Sequence, residues 1–138
     1  MSIERCAIII DKNLPIGLIA NTAAILTLSL GKLKPELIGE DINDYDGKVH
    51  KGITTIPIPI LTGDGSSLSS LRQQLREYEP DLIVFDFNHA AQMTKNYEDY
   101  SNRLSEVTAM SLEYLGIAIY GNKKIVNKFT GNLGLLRW

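Results

Sequence analysis

Residues 5–31 read RCAIIIDKNLPIGLIANTAAILTLSLG, and the reading of this stretch decides the fold. Arg5 to Ile10 contains the β-branched run Ile8-Ile9-Ile10, which suits a strand buried on both faces. The polar turn Asp11-Lys12-Asn13 follows it. Pro15 then stands where a helix begins, a position at which a missing N–H loses no hydrogen bond. No residue from Leu14 to Leu30 is charged, and Gly31 is a natural glycine for ending the helix. Apolar residues lie on nearly every side of this helix, which predicts cover from the sheet and from other helices. A membrane span needs about 20 apolar residues, and this segment is interrupted by Pro15, Gly17, Asn21, Thr22, Thr27 and Ser29. A buried strand, a polar turn and a buried helix, in that order, open an α/β domain.

Outward from this unit, strands and helices continue to alternate. Lys32 to Gly52 is polar, with Asp46-Gly47 marking a hairpin turn inside a small lobe. Ile56-Pro57-Ile58-Pro59-Ile60 sets two prolines on one side of an extended segment, which predicts an edge strand or an extended surface segment. Ser66 or Ser67 is expected to cap a helix that carries Leu68, Leu71 and Leu75 and ends before Pro80. Leu82 to Phe85 and Tyr114 to Tyr120 read as two further buried strands. Between them, Asn88 to Met110 is helical in tone, with Tyr97, Tyr100 and Leu104 on one face. Asn122 caps a last helix from Lys123 to Thr130, closed by Gly131. The expected architecture is a three-layer α/β/α sandwich with a mixed sheet of about four strands.

Composition narrows the function classes. A chain of 138 residues with 44% hydrophobic residues fits a single domain over 1–138 with a full core. A net charge of −2 provides no broad cationic surface for nucleic acid. The densest basic stretch, Lys123, Lys124 and Lys128 with Arg137, reads as a solvated face. Cys6 is the single cysteine, so no intramolecular disulfide forms, which fits a reducing cytoplasmic setting. Two histidines and no second cysteine argue against a zinc site. Gly63 to Gly65 lacks the Gly-Lys-Ser/Thr ending of a phosphate loop, and no cofactor is expected.

Arg5 to Ala24, Gly52 to Pro59 and Tyr114 to Gly121 resemble a bacterial family catalogued only as domain of unknown function number two thousand. That family is similar in fold to type II peptidyl-tRNA hydrolase, and Gly17, Ile19 and Ala20 match the hydrolase's helix entrance. Val126 to Leu133, with Leu135 and Leu136, resembles its closing helix and tail. The resemblance implies a mixed four-stranded sheet between helical layers. The hydrolase lysines, however, align with Ile16 and Leu18, and its glutamine with Thr22. Neither aliphatic side chain can hold tRNA or position water, so peptidyl-tRNA hydrolysis is not expected.

Ligands in open α/β sheets gather beyond the strand ends. Asp11, Lys12 and Asn13 end the first strand, while Asp86, Asn88 and His89 end the Leu82 strand. If these strands run parallel, all six residues share one rim. Histidine titrates near neutrality, so His89 is the candidate proton carrier, with Asp86 to orient it and Lys12 to hold an anion. The same cluster also reads as caps and salt bridges. Gly17, Asn21 and Thr22 are candidate ligand contacts at the entrance of the first helix, where free N–H groups favour anions; they also read as groups bonded to backbone. Three functions follow as expectations. One is binding of a small anionic molecule, and another is a divergent hydrolase or transferase using His89 and Asp86. The third is a homodimer joined through the Pro-rich edge and the tail at Trp138.

Overall fold

The computed structural model describes residues 3–137. β1 (Glu4–Asp11), β4 (Ile60–Gly63), β5 (Ile83–Asn88) and β6 (Tyr114–Asn122) form one sheet in the order β4-β1-β6-β5. β1 pairs parallel with β4 and antiparallel with β6, and β5 also pairs antiparallel with β6. β1, β4 and β5 therefore run one way, and β6 alone runs against them. Five α-helices accompany the sheet: α1 (Ile16–Leu33), α2 (Gly65–Leu75), α3 (His89–Gln92), α4 (Tyr97–Ser105) and α5 (Lys123–Thr130).

Alternation along β1 divides the core in two. Ala7 and Ile9, with Leu61, Ile117 and Ile119, pack against Leu68 and Leu75 of α2 and Val126 of α5. Cys6, Ile8 and Ile10, with Phe87 and Ala118, pack against Leu26 and Leu30 of α1. Contact between α1 and the sheet is close at Gly116, where an added Cβ would lie 2.6 Å from Thr22 Cγ2. Glycine is required there by space rather than by its torsion angles.

α1 departs from the sequence expectation in two ways. It passes through Gly31 to Leu33, with the Lys34 N–H donating to Leu30 O at 2.8 Å. Pro35 then ends the run, because the residue before a proline is pushed out of the helical region. Its outer face also stays open: Ile16 is 78% exposed, Leu28 is 79% exposed, and Ala24 is exposed as well. The sheet offers α1 a single contact face, and an apolar composition cannot supply a second.

Both prolines lie where an edge needs them. Pro57 and Pro59 precede β4 on the outside of the sheet, and the Ile8 N–H donates to Pro59 O at 3.0 Å. The tail closes the remainder of this edge, since Thr62 N–H donates to Gly134 O at 2.9 Å and Leu136 N–H to Ile60 O at 2.8 Å. An edge that lacks donors or is already paired does not recruit foreign strands. Trp138 lies outside the described residues.

The lobe holds the expected hairpin, with β2 (Ile42–Asn43) paired antiparallel to β3 (Val49–His50). Gly47 turns it at φ +80, and His50 meets Asp44 at 2.9 Å on the surface. One local reading is corrected. Asp64, not Ser66 or Ser67, caps α2, accepting from the Ser67 N–H at 2.9 Å while Ser67 Oγ accepts from the Asp64 N–H. Carboxylate and hydroxyl together form a reciprocal box, which a lone serine cannot. Tyr97 and Tyr100 do share a face of α4, their rings edge-on at 5.6 Å, with Tyr97 exposed and Tyr100 and Leu104 half-buried.

Leu26 and Leu28 share a helix but not an environment. Leu26→Ala is expected to lower unfolding free energy by about 2–5 kcal/mol, and Leu28→Ala by less than about 0.5 kcal/mol. Urea unfolding of the two variants checks the orientation of α1.

Candidate functional site

Because β6 is reversed, its first residue meets the last residues of its neighbours. Gly116 pairs with Ile10 on one side and Phe87 on the other, and Tyr114 pairs with Asn88 across a register shift. One rim thus collects the carboxyl ends of β1, β4 and β5 together with the start of β6. β1 and β5 run parallel, as the grouping of Asp11 to Asn13 with Asp86 to His89 requires.

The rim residues named from sequence do not all converge. Asp11 lines a cavity at the end of β1, and its Oδ1 accepts from the Asn13 N–H at 2.9 Å. Lys12 and Asn13 are exposed in the turn, where the Lys12 N–H donates to Gly63 O at 3.0 Å. Lys12 also lies near Asp64. The Asp64 carboxyl is held below its usual range mainly by the Ser67 N–H, then by the Ser66 hydroxyl, with a smaller part from Lys12. Gly17 faces open space and Asn21 is exposed. Thr22 is fully buried, and its hydroxyl donates to Leu18 O at 2.7 Å. That hydroxyl is satisfied within α1, so Thr22 has a packing role.

Asp86 does not reach toward His89. Its Oδ2 accepts from Arg72 Nε at 2.8 Å, and its Oδ1 from Asn88 Nδ2 at 3.3 Å. Arg72 Nη1 donates in turn to Glu79 Oε1 at 2.6 Å. Arg72 is only 3% exposed. Burial alone would lower its pKa, but Glu79 and Asp86 outweigh that and raise it. Asn88 is buried, and its Oδ1 accepts from the Ala91 N–H at 3.0 Å, capping α3. His89 is exposed, and its ring makes no hydrogen bond among the described residues. The expected Asp86–His89 pair is therefore replaced by a Glu79–Arg72–Asp86–Asn88 chain in which Arg72 and Asn88 are buried and the two carboxylates half-buried. An arginine inside α2 competes better for the carboxylate than a solvated imidazole does. Cys6 offers no nucleophile either, since burial pushes its thiol up to about 11.

The cavity that holds Asp11 measures about 860 Å³ and lies between α2 and residues 110–115. Leu14, Met110, Leu112 and Leu115 provide apolar walls, and Ser66, Ser69, Ser70 and Ser111 provide hydroxyls. Two further lining groups are unusual. Tyr114 is 1% exposed and its hydroxyl has no partner among the described residues, and Gln73 Nε2 is likewise buried without one there. A buried polar atom left unpaired destabilises by about 1–3 kcal/mol, and both of these atoms belong to residues that line the cavity. Neither residue stands out in the sequence. Tyr114 reads as the first residue of an apolar strand, and Gln73 as a solvated position on α2. Only the reversed direction of β6 brings them to one place.

The ion-pair chain is expected to be structural. Asp86→Ala leaves a buried arginine short of one carboxylate and is expected to destabilise by about 3–5 kcal/mol. His89→Ala is expected to change stability by less than about 0.5 kcal/mol. Thermal and urea unfolding of both variants would show it.

Among curated proteins, none matches this chain. A solved structure of a protein of unknown function from Agrobacterium tumefaciens strain C58 matches with a TM-score of 0.88, 23% sequence identity and 98% of each chain covered. At that identity the likeness establishes the fold alone. The family described as "Protein of unknown function (DUF2000)" matches residues 4–137, and the chain belongs to that family.

Proposed function

We propose that this protein is a binding domain for a small molecule whose anionic, oxygen-bearing group is held in the rim cavity. The observation that carries this reading is the rim cavity, one of whose lining residues, Tyr114, has a buried hydroxyl without a partner among the described residues. Gln73 Nε2 adds a second unpaired donor, and a nitrogen donor calls for an acceptor oxygen. Gly65 and Ser66, the first residues of α2, also line the cavity. Their N–H groups have no acceptor within the helix, and the helix dipole favours negative charge there. The volume falls in the range of small-molecule sites.

The finer fold reading belongs to the same proposal. A three-layer α/β/α sandwich of the type II peptidyl-tRNA hydrolase kind is supported by α1 on one face of the sheet and α2 with α5 on the other. Hydrolase chemistry does not come with it. The cavity lining has no histidine, cysteine, lysine or arginine. A cytoplasmic setting fits the single buried thiol.

This reading sets a sharp expectation for Tyr114→Phe. Removing an unpaired buried hydroxyl is expected to leave the free protein equally stable or more stable. Binding is expected to weaken. Thermal-shift measurements against nucleotides, amino acids and cofactors test both, since ligand at 100 times Kd stabilises by about 2.7 kcal/mol. A stabilising compound whose effect shrinks in Tyr114→Phe supports the reading. A loss of more than about 1 kcal/mol in the free variant would contradict it.

A further inference from the structure

The two edges of the sheet differ. Prolines and the tail close the β4 edge, and nothing comparable covers β5, the strand at the other edge. The register of the sheet fixes which groups β5 leaves free. Ile8 N–H and Lys12 N–H both donate toward β4, to Pro59 O and Gly63 O. Alternate residues of β1 bond opposite neighbours, so Ala7 and Ile9 bond β6, at Ile119 and Ile117. That leaves Ala118 and Tyr120 of β6 to bond Phe85 and Ile83. By the same alternation, Val84 and Asp86 direct their backbone N–H and C=O groups away from the sheet. Among the described residues no group bonds them. Ile83, Val84, Phe85 and Asp86 are all only half-buried, whereas β6 is buried along nearly its whole length.

Monomeric proteins blunt such an edge with prolines, lysines or unpaired charges. β5 reads Ile83-Val84-Phe85-Asp86-Phe87-Asn88, and its one charge, Asp86, is neutralised by Arg72 at 2.8 Å. A foreign peptide that joins a sheet edge draws its specificity from pockets for alternate side chains. None of the four cavities, at about 320 to 860 Å³, is lined by residues 83–87. A second β5 needs no pocket. We infer that two copies of this chain pair antiparallel through β5, about a two-fold axis at Phe85. Val84 of each copy then exchanges N–H to C=O bonds in both directions with Asp86 of the other, so every outward group is satisfied. Phe85, on the α1 face, stands opposite its own copy at the close spacing where aromatic side chains meet. The two Asp86 carboxylates lie diagonally rather than opposite each other, and each keeps its own Arg72. The register shift between Phe87 and Asn88 ends the ladder. The product is a single continuous sheet with a β4 strand at both ends, where the prolines and the tail stop further growth. This contact lies on the edge opposite the Pro-rich one, and it does not depend on what the rim cavity holds.

Sedimentation of the full chain, combined with amide hydrogen exchange, tests this pairing. The chain is expected to sediment at twice its own mass in the millimolar range. The Val84 and Asp86 amides are expected to exchange at least about tenfold more slowly in the dimer than after dilution to the monomer. The Ile83 and Phe85 amides, bonded to β6, are expected to stay protected at both concentrations. Val84→Pro removes an outward donor and no bond to β6, and it is expected to give a folded monomer. Should that variant fail to fold, the exchange pattern of the unaltered chain decides alone. A chain that stays monomeric in the millimolar range would overturn the inference. So would a dimer whose Val84 and Asp86 amides exchange freely, since its contact would then lie elsewhere, on the exposed face of α1 or at the Pro-rich edge.

Discussion

Everything at the rim depends on one constraint, the direction of β6. It is the longest strand of the sheet, eight of its nine residues are buried, and it lies antiparallel between β1 and β5. A parallel strand in that place would put its last residues at the rim. The reversed strand puts Tyr114 there instead, beside the ends of β1 and β5. Gly116 then holds α1 against the strand, because Thr22 occupies the space a side chain would need. The position of α1 and the setting of Tyr114 both follow from how β6 is paired.

Much of this was legible in the sequence, and the reasons are local. Ile8-Ile9-Ile10 can hardly be anything except a buried strand. Asp46-Gly47 makes a turn wherever strand-forming residues flank it, and Pro57 with Pro59 excludes a central strand. Asn122 caps α5 through its own side chain, which accepts from Lys124 N–H at 2.9 Å. Each of these signals lies within a few residues of its effect.

What could not be read depended on distant partners. Arg72 looks like a solvated helix residue until Asp86 and Glu79 are placed around it. Asp86 and His89 look like a catalytic pair until that arginine takes the carboxylate. The uncharged length of α1 suggested cover on all sides, yet only the inner face, with Thr22, Leu26 and Leu30, is buried. The cavity was hidden for the same reason, since Asp11, Gln73 and Tyr114 come from three separate elements. Two buried donors, on Tyr114 and Gln73, are left unpaired near that meeting point.

NMR observation of Tyr114 Cζ and the Gln73 side-chain amide, during titration with a compound that stabilises the protein in the thermal-shift panel, tests the central claim most directly. The account predicts that both resonances move on one saturation curve, while Asn21, exposed on α1, stays fixed. Movement confined to other residues, with Tyr114 and Gln73 unchanged at saturation, would contradict it.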